Sequence, residues 1–496
     1  MYNLCYTTIG IFLNRRKEKE MDKYLRKTKI VCTIGPASED KLVELMNTGM
    51  DVVRINFSHG SYPEQESKVE KFFEARKQVN KPVALLLDMQ GPEIRTGMLE
   101  EAPAVLKAGE TFTLVNEDIV GNEKQVTISY KNLYEDVNVG TKILLDDALI
   151  ELEVTEIKGK DIVCKVNNGG KLGNRKSVNV PGIHVNLPAL KEKDIQDLKD
   201  GAKHKFDYVA ASFVRNKEDV LAVRKVLDEN GGKDIKIICK IENQEGLDNL
   251  EEIVNNSAGI MIGRGDLGVE IPYHRVPLAQ KDIIKLCNRK GKVVITATQM
   301  LESMTHSPRP TRAEVSDVAN AIYDRTGAIM LSGECATGEY PVECVETMVS
   351  IARTIEGEIK YWERFNNKYQ KVETDDLEYN INYTVCRMAR KIRAKAVVAY
   401  TNTGNTARYL SGLGIKCPVF AVTSNEETYN QLALVWNVFP ILLPEQKTIN
   451  DLLEEGLVKL EKDGYLEKGD KVVIAGGSHI LPSRKTSRTI GGVIEI

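Results

Sequence analysis

Eight short apolar runs alternate along this chain with amphipathic segments, and this alternation limits the possible folds more than any other feature. Segments such as residues 68–79 and 276–288 separate runs that are typical of buried parallel strands. Eight strand–helix units predict an α/β fold built on a (β/α)8 TIM barrel. The predicted strands are residues 30–34, 52–55, 83–87, 208–211, 235–238, 259–262, 293–295 and 328–331.

Polar side chains follow nearly every one of these runs. Barrel enzymes have their active sites at the carboxyl ends of the strands, so these side chains are expected to converge. Packing alone is a poor explanation, because polar groups are costly to bury. In chain order they are Thr33, Arg54 with Asn56, Asp88, Ser212, Lys240 with Glu242, Asp266, Thr298, and Ser332 with Glu334.

Two further stretches differ from the barrel pattern. The connection between Asp88 and Tyr208 is much longer than one helix and alternates in a β manner, as in residues 111–115 and 126–130. We predict a small all-β domain, inserted after the third strand, that closes over the barrel as a lid. Beyond about residue 365, a charged stretch at 360–379 leads to a second, open α/β domain. Its predicted elements are helix 384–393 and strands 396–400, 419–422, 471–475 and 489–496.

These patterns divide the chain into four parts. The barrel is expected at 25–93 and 190–365, the lid at 94–189 and the C-terminal domain at 366–496. Residues 1–24 form a leader in which a charged run directly precedes Met21. That run can be encoded by purine-only codons, as in a bacterial ribosome-binding site, so translation is expected to start at Met21. The alternative is a disordered tail with a solvated charge run.

Composition excludes several classes of protein. The net charge of −3 gives no general attraction to nucleic acid or to anionic membranes. No apolar run approaches the roughly 20 residues of a membrane helix. The nine cysteines lack CxxC pairs and histidine partners at metal spacing, which predicts reduced, buried thiols in a cytoplasmic protein.

Lys240 and Glu242 end the fifth predicted strand and alternate with Ile241, so their side chains point the same way. A lysine and a glutamate in this position are costly to bury unless they are paired or bound. They form either a structural ion pair or a site in which the ammonium meets an anionic substrate and the carboxylate a metal ion.

Other segments predict cation and phosphate chemistry. RINFSHG, residues 54–60, offers an arginine for a phosphate and oxygen ligands that suit K⁺ or Mg²⁺. GRGDLG, residues 263–268, predicts a glycine-rich turn for a carboxylate or phosphate, with Asp266 as the partner of Glu242 on Mg²⁺. Its Arg-Gly-Asp tripeptide carries no adhesion signal here. GPEIRTG, residues 91–97, predicts a hinge to the lid.

Six motifs, in their order and spacing, resemble those of the pyruvate kinase family: RINFSHG, GPEIRTG, IICKIENQEGL, GRGDLGVEIP, TATQMLES and AIMLSGE. The resemblance runs from about Lys27 nearly to the C-terminus. It implies phosphoryl transfer from phosphoenolpyruvate to ADP, which gives ATP and pyruvate in the last step of glycolysis. It also implies Mg²⁺ (or Mn²⁺) and K⁺ as cofactors, an allosteric C-terminal domain and a homotetramer.

The resemblance implies a role for each matching residue. Lys240 stabilises charge on the transferring phosphoryl group and the enolate, and Arg54 binds the substrate phosphate. Thr298, Ser332 and Glu334 join them as catalytic residues, Thr298 and Ser332 by polarising substrate or moving a proton through water. The implied Mg²⁺ ligands are Glu242 and Asp266, and the implied K⁺ ligands are Asn56, Ser58, Asp88 and the carbonyl of Met89. The implied pocket for the substrate carboxylate consists of Gly265, Asp266 and Thr298. The implied nucleotide contacts are Asn56, His59, Arg95 and Lys176.

The sequence departs from the family pattern at a few positions. Met89-Gln90 replaces the threonine-lysine of K⁺-dependent members, whereas Glu93 and Thr96 match that class. Cys335 stands where threonine is usual and is expected to be a buried small residue. The loop that resembles an effector-phosphate site is Thr401, Asn402, Thr403, Gly404, Asn405 and Thr406. The second effector loop, at 482–488, is unlike the family's, so the activator need not be a sugar bisphosphate. The alternative for this loop is a solvated basic turn without an effector role.

Two other functions compete with this one. A Mg²⁺-dependent C–C lyase would share the metal carboxylates but would need neither a nucleotide lid nor Arg95. A metabolite sensor without activity would be expected to have lost Lys240, Glu242 or Asp266, and all three are present.

Overall fold

The computed structural model describes residues 25–58, 60, 62–369, 375–445, 449–477 and 489–496. The predictions made for the leader, for His59 and for the loop at 482–488 lie outside these ranges. In the part of the chain that is described, no helix is long and apolar enough to cross a membrane.

Eight parallel strands form a closed barrel, which confirms the predicted fold class. Each strand pairs with the next, and the eighth pairs with the first, as Lys29 opposite Ala328 illustrates. The barrel strands are Lys29–Thr33, Val52–Asn56, Ala84–Asp88, Tyr208–Ala211, Lys236–Ile241, Gly259–Gly263, Val293–Ala297 and Ala328–Leu331. Their nearly complete burial explains why they appear in the sequence as continuous apolar runs.

Helices surround the barrel and bury their apolar faces against it. The helix Arg312–Tyr323 begins with a capping box, in which the Thr311 and Glu314 side chains accept each other's backbone N–H groups. The longer helices are Leu42–Thr48, Tyr62–Gln78, Glu192–Lys203, Lys217–Glu229, Leu250–Asn256, Val276–Arg289, Arg312–Tyr323 and Pro341–Glu358. The shorter ones are Gln244–Asp248, Arg264–Glu270, Gly333–Ala336 and the 3₁₀ turns Tyr273–Arg275 and Glu302–Thr305.

The barrel differs from the prediction at the carboxyl ends of its strands. The fifth strand continues to Ile241, because Lys240 and Ile241 still pair with Met261 and Ile262 of the next strand. The predicted glycine-rich turn at 263–268 is wrong, since the helix Arg264–Glu270 begins there and buries Leu267. Residues 62–78 form one helix that begins six residues before the predicted segment.

The insert after the third strand is a β structure with a hydrophobic core of its own. Its main sheet has six strands, and a two-stranded sheet joins Ala104–Leu106 to Gly170–Leu172. The strands of the main sheet are Thr111–Val115, Gln125–Thr127, Lys142–Leu145, Ile150–Lys158, Asp161–Asn168 and Val178–Asn179, with the helix Leu133–Asp136 beside them.

The C-terminal part contains a five-stranded sheet with helices. In sheet order its strands are Val438–Leu442, Val419–Thr423, Ala396–Tyr400, Lys471–Gly477 and the antiparallel edge strand Thr489–Glu495. Its helices are Tyr361–Tyr369, Leu377–Lys391, Asn405–Leu413, Glu426–Gln431, Ile449–Lys462 and the 3₁₀ turn Leu432–Leu434.

Two elements of this part were predicted incorrectly. The helix predicted at 384–393 begins at Leu377, where the Asp376 side chain accepts the N–H of Tyr379 as an N-cap. The strand Val438–Leu442 was missed because Pro440 argues against a strand; the structure allows it there because this is an edge strand.

The C-terminal part closes the amino end of the barrel. The Lys29 ammonium, on the first barrel strand, donates to the carbonyl of Val438 at 2.8 Å and lies 4.7 Å from the centre of the Phe439 ring. The Tyr208 hydroxyl donates to the carbonyl of Gln431 at 2.6 Å. Among the described residues, these contacts cover the amino end of the barrel and leave the carboxyl ends of the strands facing the insert.

Candidate active site

Asp88, at the end of the third barrel strand, joins several of the predicted site residues. One carboxylate oxygen accepts from Arg54 Nε at 2.6 Å, and the other lies 3.4 Å from Lys240 Nζ and 3.3 Å from Ser212 Oγ. Burial opposes ionisation of this carboxyl, but the Arg54 guanidinium and the Lys240 ammonium hold its pKa below the ordinary value. Asp88 is therefore a fixed anion between two cations.

Lys240 and Glu242 form the close pair that their alternation predicted. Lys240 Nζ lies 3.0 Å from Glu242 Oε1 and also donates to Ser212 Oγ at 2.8 Å. The other Glu242 oxygen accepts the backbone N–H of Phe213 at 2.9 Å. Burial disfavours the charge of Lys240, but Asp88 and Glu242 outweigh it and raise the pKa of this lysine, which stays an ammonium. The pair is thus part of a larger polar network and does more than end a strand.

Glu242, which is buried, and Asp266, which is half-buried, bring two carboxyl groups together. Burial raises the pKa of Glu242 to about 8, with Asp266 contributing and Lys240 opposing. Burial also raises the pKa of Asp266, whose side chain is hydrogen-bonded to Glu242. Two carboxylates in one site repel each other unless a cation lies between them. A divalent cation with oxygen-ligand preference fits this donor set.

Gly263 makes room for this pair of carboxyl groups. A Cβ atom at this position would lie 2.6 Å from both Cγ and Oε1 of Glu242. Only glycine therefore allows the sixth barrel strand to pass directly beside the Glu242 side chain.

The oxygen ligands predicted for K⁺ lie at the ends of the second and third strands or just after them. Asn56 Oδ1 accepts the N–H of Ser58 at 3.0 Å, and the carbonyl of Met89 accepts from Ser212 Oγ at 2.6 Å. Amide, hydroxyl, carboxylate and carbonyl oxygens are the donor set of a hard monovalent cation. Their chemistry fits K⁺.

Arg54 is held in place before any ligand arrives. Besides its bond to Asp88, its Nη1 donates to Thr33 Oγ1 at 2.6 Å, and that hydroxyl donates to the carbonyl of Leu331 at 3.1 Å. The guanidinium is mostly buried, so little side-chain entropy remains to be lost when it binds an anion.

Thr298 lies on a strained turn that follows the seventh strand. Thr298 and Gln299 have φ values of 63° and 52°, a left-handed conformation that is unfavourable for a β-branched residue. The Thr298 hydroxyl accepts the N–H of Gly265 at 2.9 Å and donates to the carbonyl of Ala297 at 2.7 Å. Gly265, Asp266 and Thr298, predicted to form one pocket, are therefore adjacent.

Ser332 and Glu334 follow the eighth strand, and their side chains differ in their hydrogen bonding. Glu334 is fully buried, and its two oxygens accept the backbone N–H groups of Leu301 and Ser332. It connects the loops after the seventh and eighth strands. The Ser332 hydroxyl is buried and has no hydrogen-bond partner within the described residues. Cys335 is buried, as expected.

A cleft of about 430 Å³ lies between the insert and the barrel mouth. Asp266 lines it from the barrel, and Arg95 and Lys176 line it from the insert. Arg95 pairs with Glu93 at 2.8 Å, and Lys176 pairs with Asp146 at 2.9 Å. Both cations remain more than one-third exposed and so accessible to an anionic ligand.

The loop at 401–406 follows the strand Ala396–Tyr400 and leads into the helix Asn405–Leu413. Thr401 is buried, and its hydroxyl accepts the N–H of Gly404, which has a φ of 79° and precedes the helix Asn405–Leu413. Asn402, Thr403 and Asn405 are exposed, and Thr406 is partly so. The strand that precedes this loop belongs to the C-terminal sheet and not to the barrel.

The sequence assigned no role to three residues that help to build the site. Ser212 was predicted only as one of the polar strand ends that converge, and it contacts both Lys240 and the Met89 carbonyl. Phe213 has a φ of 54° and gives its N–H to Glu242. Arg264 holds the Thr298 turn, which the sequence could not indicate because its partner Asp317 is 53 residues away.

Within the described ranges, no group of three or more histidine, cysteine or acidic side chains is arranged to hold a metal ion alone.

Comparison with known proteins gives a consistent result along the chain. Residues 25–345 match the family model described as pyruvate kinase, barrel domain. Residues 380–489 match the model described as pyruvate kinase, alpha/beta domain. Together these two matches cover most of the chain.

Individual relatives match over nearly the whole chain. A pyruvate kinase from Clostridium acetobutylicum is 49% identical over 460 residues, which are 91% of this chain and 96% of the relative. A pyruvate kinase from Staphylococcus epidermidis is 47% identical over 458 residues, 91% of this chain and 78% of the relative. One from Bacillus licheniformis is 46% identical, over 92% and 78% of the two chains.

Proposed function

The chain belongs to the pyruvate kinase family and transfers the phosphoryl group of phosphoenolpyruvate to ADP, and we propose that the side chains at the barrel mouth perform this reaction as follows. The bond from phosphorus to the enol oxygen breaks, and a bond to a β-phosphate oxygen of ADP forms. The enolate that is left takes a proton at carbon 3 and becomes pyruvate. The observation that carries this proposal is the largely buried network of Lys240, Asp88, Arg54 and the two carboxyl groups of Glu242 and Asp266.

Lys240 stabilises the negative charge that develops in the transition state. Its ammonium is fixed by Glu242, Asp88 and Ser212, so no reorganisation is needed when charge moves onto the enolate oxygen. Phosphoryl transfer depends largely on such positioned cations, because charge is spread over the phosphoryl oxygens.

Arg54 binds the phosphate of phosphoenolpyruvate. Its Nε and Nη1 are used by Asp88 and Thr33, which leaves the outer edge of the guanidinium for a phosphate oxygen. These two bonds fix the direction in which the guanidinium faces a phosphate. They also reduce the entropy cost of binding, because a free arginine side chain would first lose rotamer freedom.

Glu242 and Asp266 would hold Mg²⁺, or Mn²⁺ in its place. Such an ion would supply positive charge that offsets the two carboxylates and the substrate phosphate. Asn56, Ser58, Asp88 and the carbonyl of Met89 would hold K⁺, which would supply a further positive charge for the phosphate.

Gly265, Asp266 and Thr298 bind the substrate carboxylate end. The Thr298 hydroxyl is adjacent to the N–H of Gly265 and is suited to polarise the substrate. The Ser332 hydroxyl, which has no partner within the described residues, is suited to pass a proton towards the enolate through water. Glu334 acts indirectly, by orienting the backbone of Ser332.

The insert, residues 94–189, serves as a lid over the nucleotide. Arg95 and Lys176 extend into the cleft from the lid, where they are suited to the phosphates of ADP. Asn56 and His59 contribute from the barrel, by resemblance to the family. Closure of the lid excludes water, which would otherwise compete with ADP for the phosphoryl group.

The C-terminal domain, residues 366–496, regulates the enzyme. The loop Thr401–Thr406 precedes a helix and is suited to the phosphate of an effector, such as a sugar phosphate. By resemblance to the family, the enzyme is a homotetramer. Its free, buried cysteines suit the reducing cytoplasm.

A coupled assay with the purified protein tests this function. Pyruvate and ATP should form in equal amounts from phosphoenolpyruvate and ADP, and only when Mg²⁺ is present. Omission of ADP separates the alternatives, since a lyase would act on its substrate without a nucleotide. Pyruvate release that is independent of ADP, or no release with both substrates and both cations, would contradict the proposal.

A further inference from the structure

The turn Ala297–Gln299 holds Thr298 in a conformation that the turn's own sequence does not favour. Thr298 and Gln299 are consecutive non-glycine residues with positive φ. Such conformations persist only where surrounding structure enforces them, and they concentrate at functional sites. Three of the contacts that hold this turn come from one side chain, Arg264.

Arg264 holds the turn through three consecutive carbonyl groups. Its Nε donates to the carbonyl of Ala297 at 3.1 Å. Its Nη2 donates to the carbonyls of Thr298 and Gln299 at 2.7 and 3.3 Å. The guanidinium is mostly buried, at 11% exposure, so these bonds form with little competition from water.

Asp317 fixes the remaining edge of the guanidinium. Arg264 Nη1 lies 2.7 Å from one Asp317 oxygen and 2.9 Å from the other. It also lies 3.4 Å from Oε1 of Gln280. Asp317 and Gln280 belong to two surface helices of the barrel, Arg312–Tyr323 and Val276–Arg289, so the turn is fixed relative to both.

Arg264 also joins the two sides of one pocket. It directly precedes Gly265 and Asp266 in the chain, and its guanidinium holds the turn that carries Thr298. The bond from the Gly265 N–H to the Thr298 hydroxyl is the direct link between these sides. A small displacement of the turn would therefore separate Thr298 from Gly265.

We propose that Arg264 is a positioning residue that presets the pocket for the substrate carboxylate, by holding Thr298 against Gly265 through the Ala297, Thr298 and Gln299 carbonyls and Asp317. The proposal rests on the proposed function, because it assigns the pocket to phosphoenolpyruvate. Arg264 acts through the turn and not on the substrate, because its N–H groups are used by the three carbonyl groups and by the Asp317 carboxylate.

A lysine cannot replace this arginine. The three carbonyls and the carboxylate require donors in a planar fork, whereas an ammonium is a compact point charge on a flexible stem. Arg264→Lys keeps the charge and removes the fork, so it tests geometry rather than electrostatics.

The test compares steady-state kinetics and thermal unfolding of the full chain in four forms. These are the wild type, Arg264→Lys, Asp317→Asn and Arg289→Lys, the last being an exposed arginine at the end of the helix Val276–Arg289. For Arg264→Lys we expect KM for phosphoenolpyruvate to rise at least tenfold, KM for ADP to stay within twofold and the unfolding midpoint to stay within about 3 °C. Asp317→Asn should change KM for phosphoenolpyruvate in the same direction by less, and Arg289→Lys should change nothing.

Selective loss of phosphoenolpyruvate affinity is the readout that a merely structural role would not produce. Equal rises in both KM values with a lower midpoint, or an unchanged KM for phosphoenolpyruvate, would overturn the proposal. If Arg264→Lys does not fold, Asp317→Asn decides by the same criterion. An inactive wild type would instead contradict the proposed function, so the two failures are distinguishable.

Discussion

Asp88 and Arg54 form a buried ion pair at the barrel mouth, with 2.6 Å between the carboxylate oxygen and Nε. Lys240 lies 3.4 Å from the other carboxylate oxygen, so one anion separates two cations that would otherwise repel each other. This arrangement fixes the positions of both cations before any ligand binds. Electrostatic preorganisation of this kind is the basis of the proposed catalysis.

Asp88→Asn should therefore damage both stability and activity. Loss of the anion leaves two buried cations without compensation, and breaking a buried ion pair in this way costs about 3–5 kcal/mol. We expect a clearly lower midpoint in urea unfolding and at least a tenfold fall in kcat/KM for phosphoenolpyruvate. Asp282→Asn, in an exposed pair with Lys285, is the control and should change stability by less than about 1 kcal/mol. A variant at position 88 that unfolds like the wild type would contradict this role.

Glu93 predicts activation by K⁺, although Met89-Gln90 resembles K⁺-independent members. Its carboxylate pairs with Arg95, and it disfavours the ionised form of Asp266. Glu93 adds negative charge to a site that already carries Asp88 and Asp266, and we expect this charge to require a counter-cation beside a phosphate substrate. The methionine side chain at position 89 should have little effect on K⁺ binding, because this residue would contribute its backbone carbonyl, which any residue has.

The measurement is kcat/KM in K⁺ buffer relative to tetramethylammonium buffer. We expect a ratio well above one for the wild type and a smaller ratio for Glu93→Lys, whose ammonium partly replaces the ion. Glu100→Lys, an equal charge change at an exposed position of the insert, should keep the wild-type ratio. Equal values in the two buffers for the wild type would refute the prediction. They would instead favour K⁺ independence, which Met89-Gln90 indicates.

Lys29 should make stability depend on pH. Burial at the closed end of the barrel lowers the pKa of Lys29 to about 8, although Asp51 opposes this. The unfolded chain, in which this pKa is ordinary, then binds more protons between about pH 8 and 10.5, so stability rises with pH in that window. Relative to Lys29→Met, the wild type should gain about 2–3 kcal/mol of unfolding free energy between pH 7 and pH 10.

Urea unfolding at a series of pH values measures this difference. The control is Lys285→Met, because the Lys285 side chain is 74% exposed and its removal should leave the pH profile of the wild type unchanged. A constant or falling difference between the wild type and Lys29→Met across this range would contradict the burial of a titrating ammonium.

The sequence predicted the features that follow from local pattern. Apolar runs indicated the eight strands, and their polar ends indicated Lys240, Glu242 and Asp266 at one site. It failed where partners are distant in the chain and meet only through the fold. Ser212 and the Met89 carbonyl are 123 residues apart, and Arg264 and Asp317 are 53 apart. Strand Val438–Leu442 was missed because edge position, which makes Pro440 acceptable, is a property of the whole sheet.

The kcat of Lys240→Met at saturating substrates, Mg²⁺ and K⁺ tests the central claim most directly. Removing one preorganised cation from the developing charge should cost roughly 3–4 kcal/mol or more, a fall of at least about 10²–10³ in kcat. Binding of phosphoenolpyruvate should change less, because Arg54 and Mg²⁺ remain, and circular dichroism should show a folded protein. A folded variant that keeps more than about a tenth of the wild-type kcat, a change of less than about 1.4 kcal/mol, would contradict the assignment of Lys240 as the charge stabiliser.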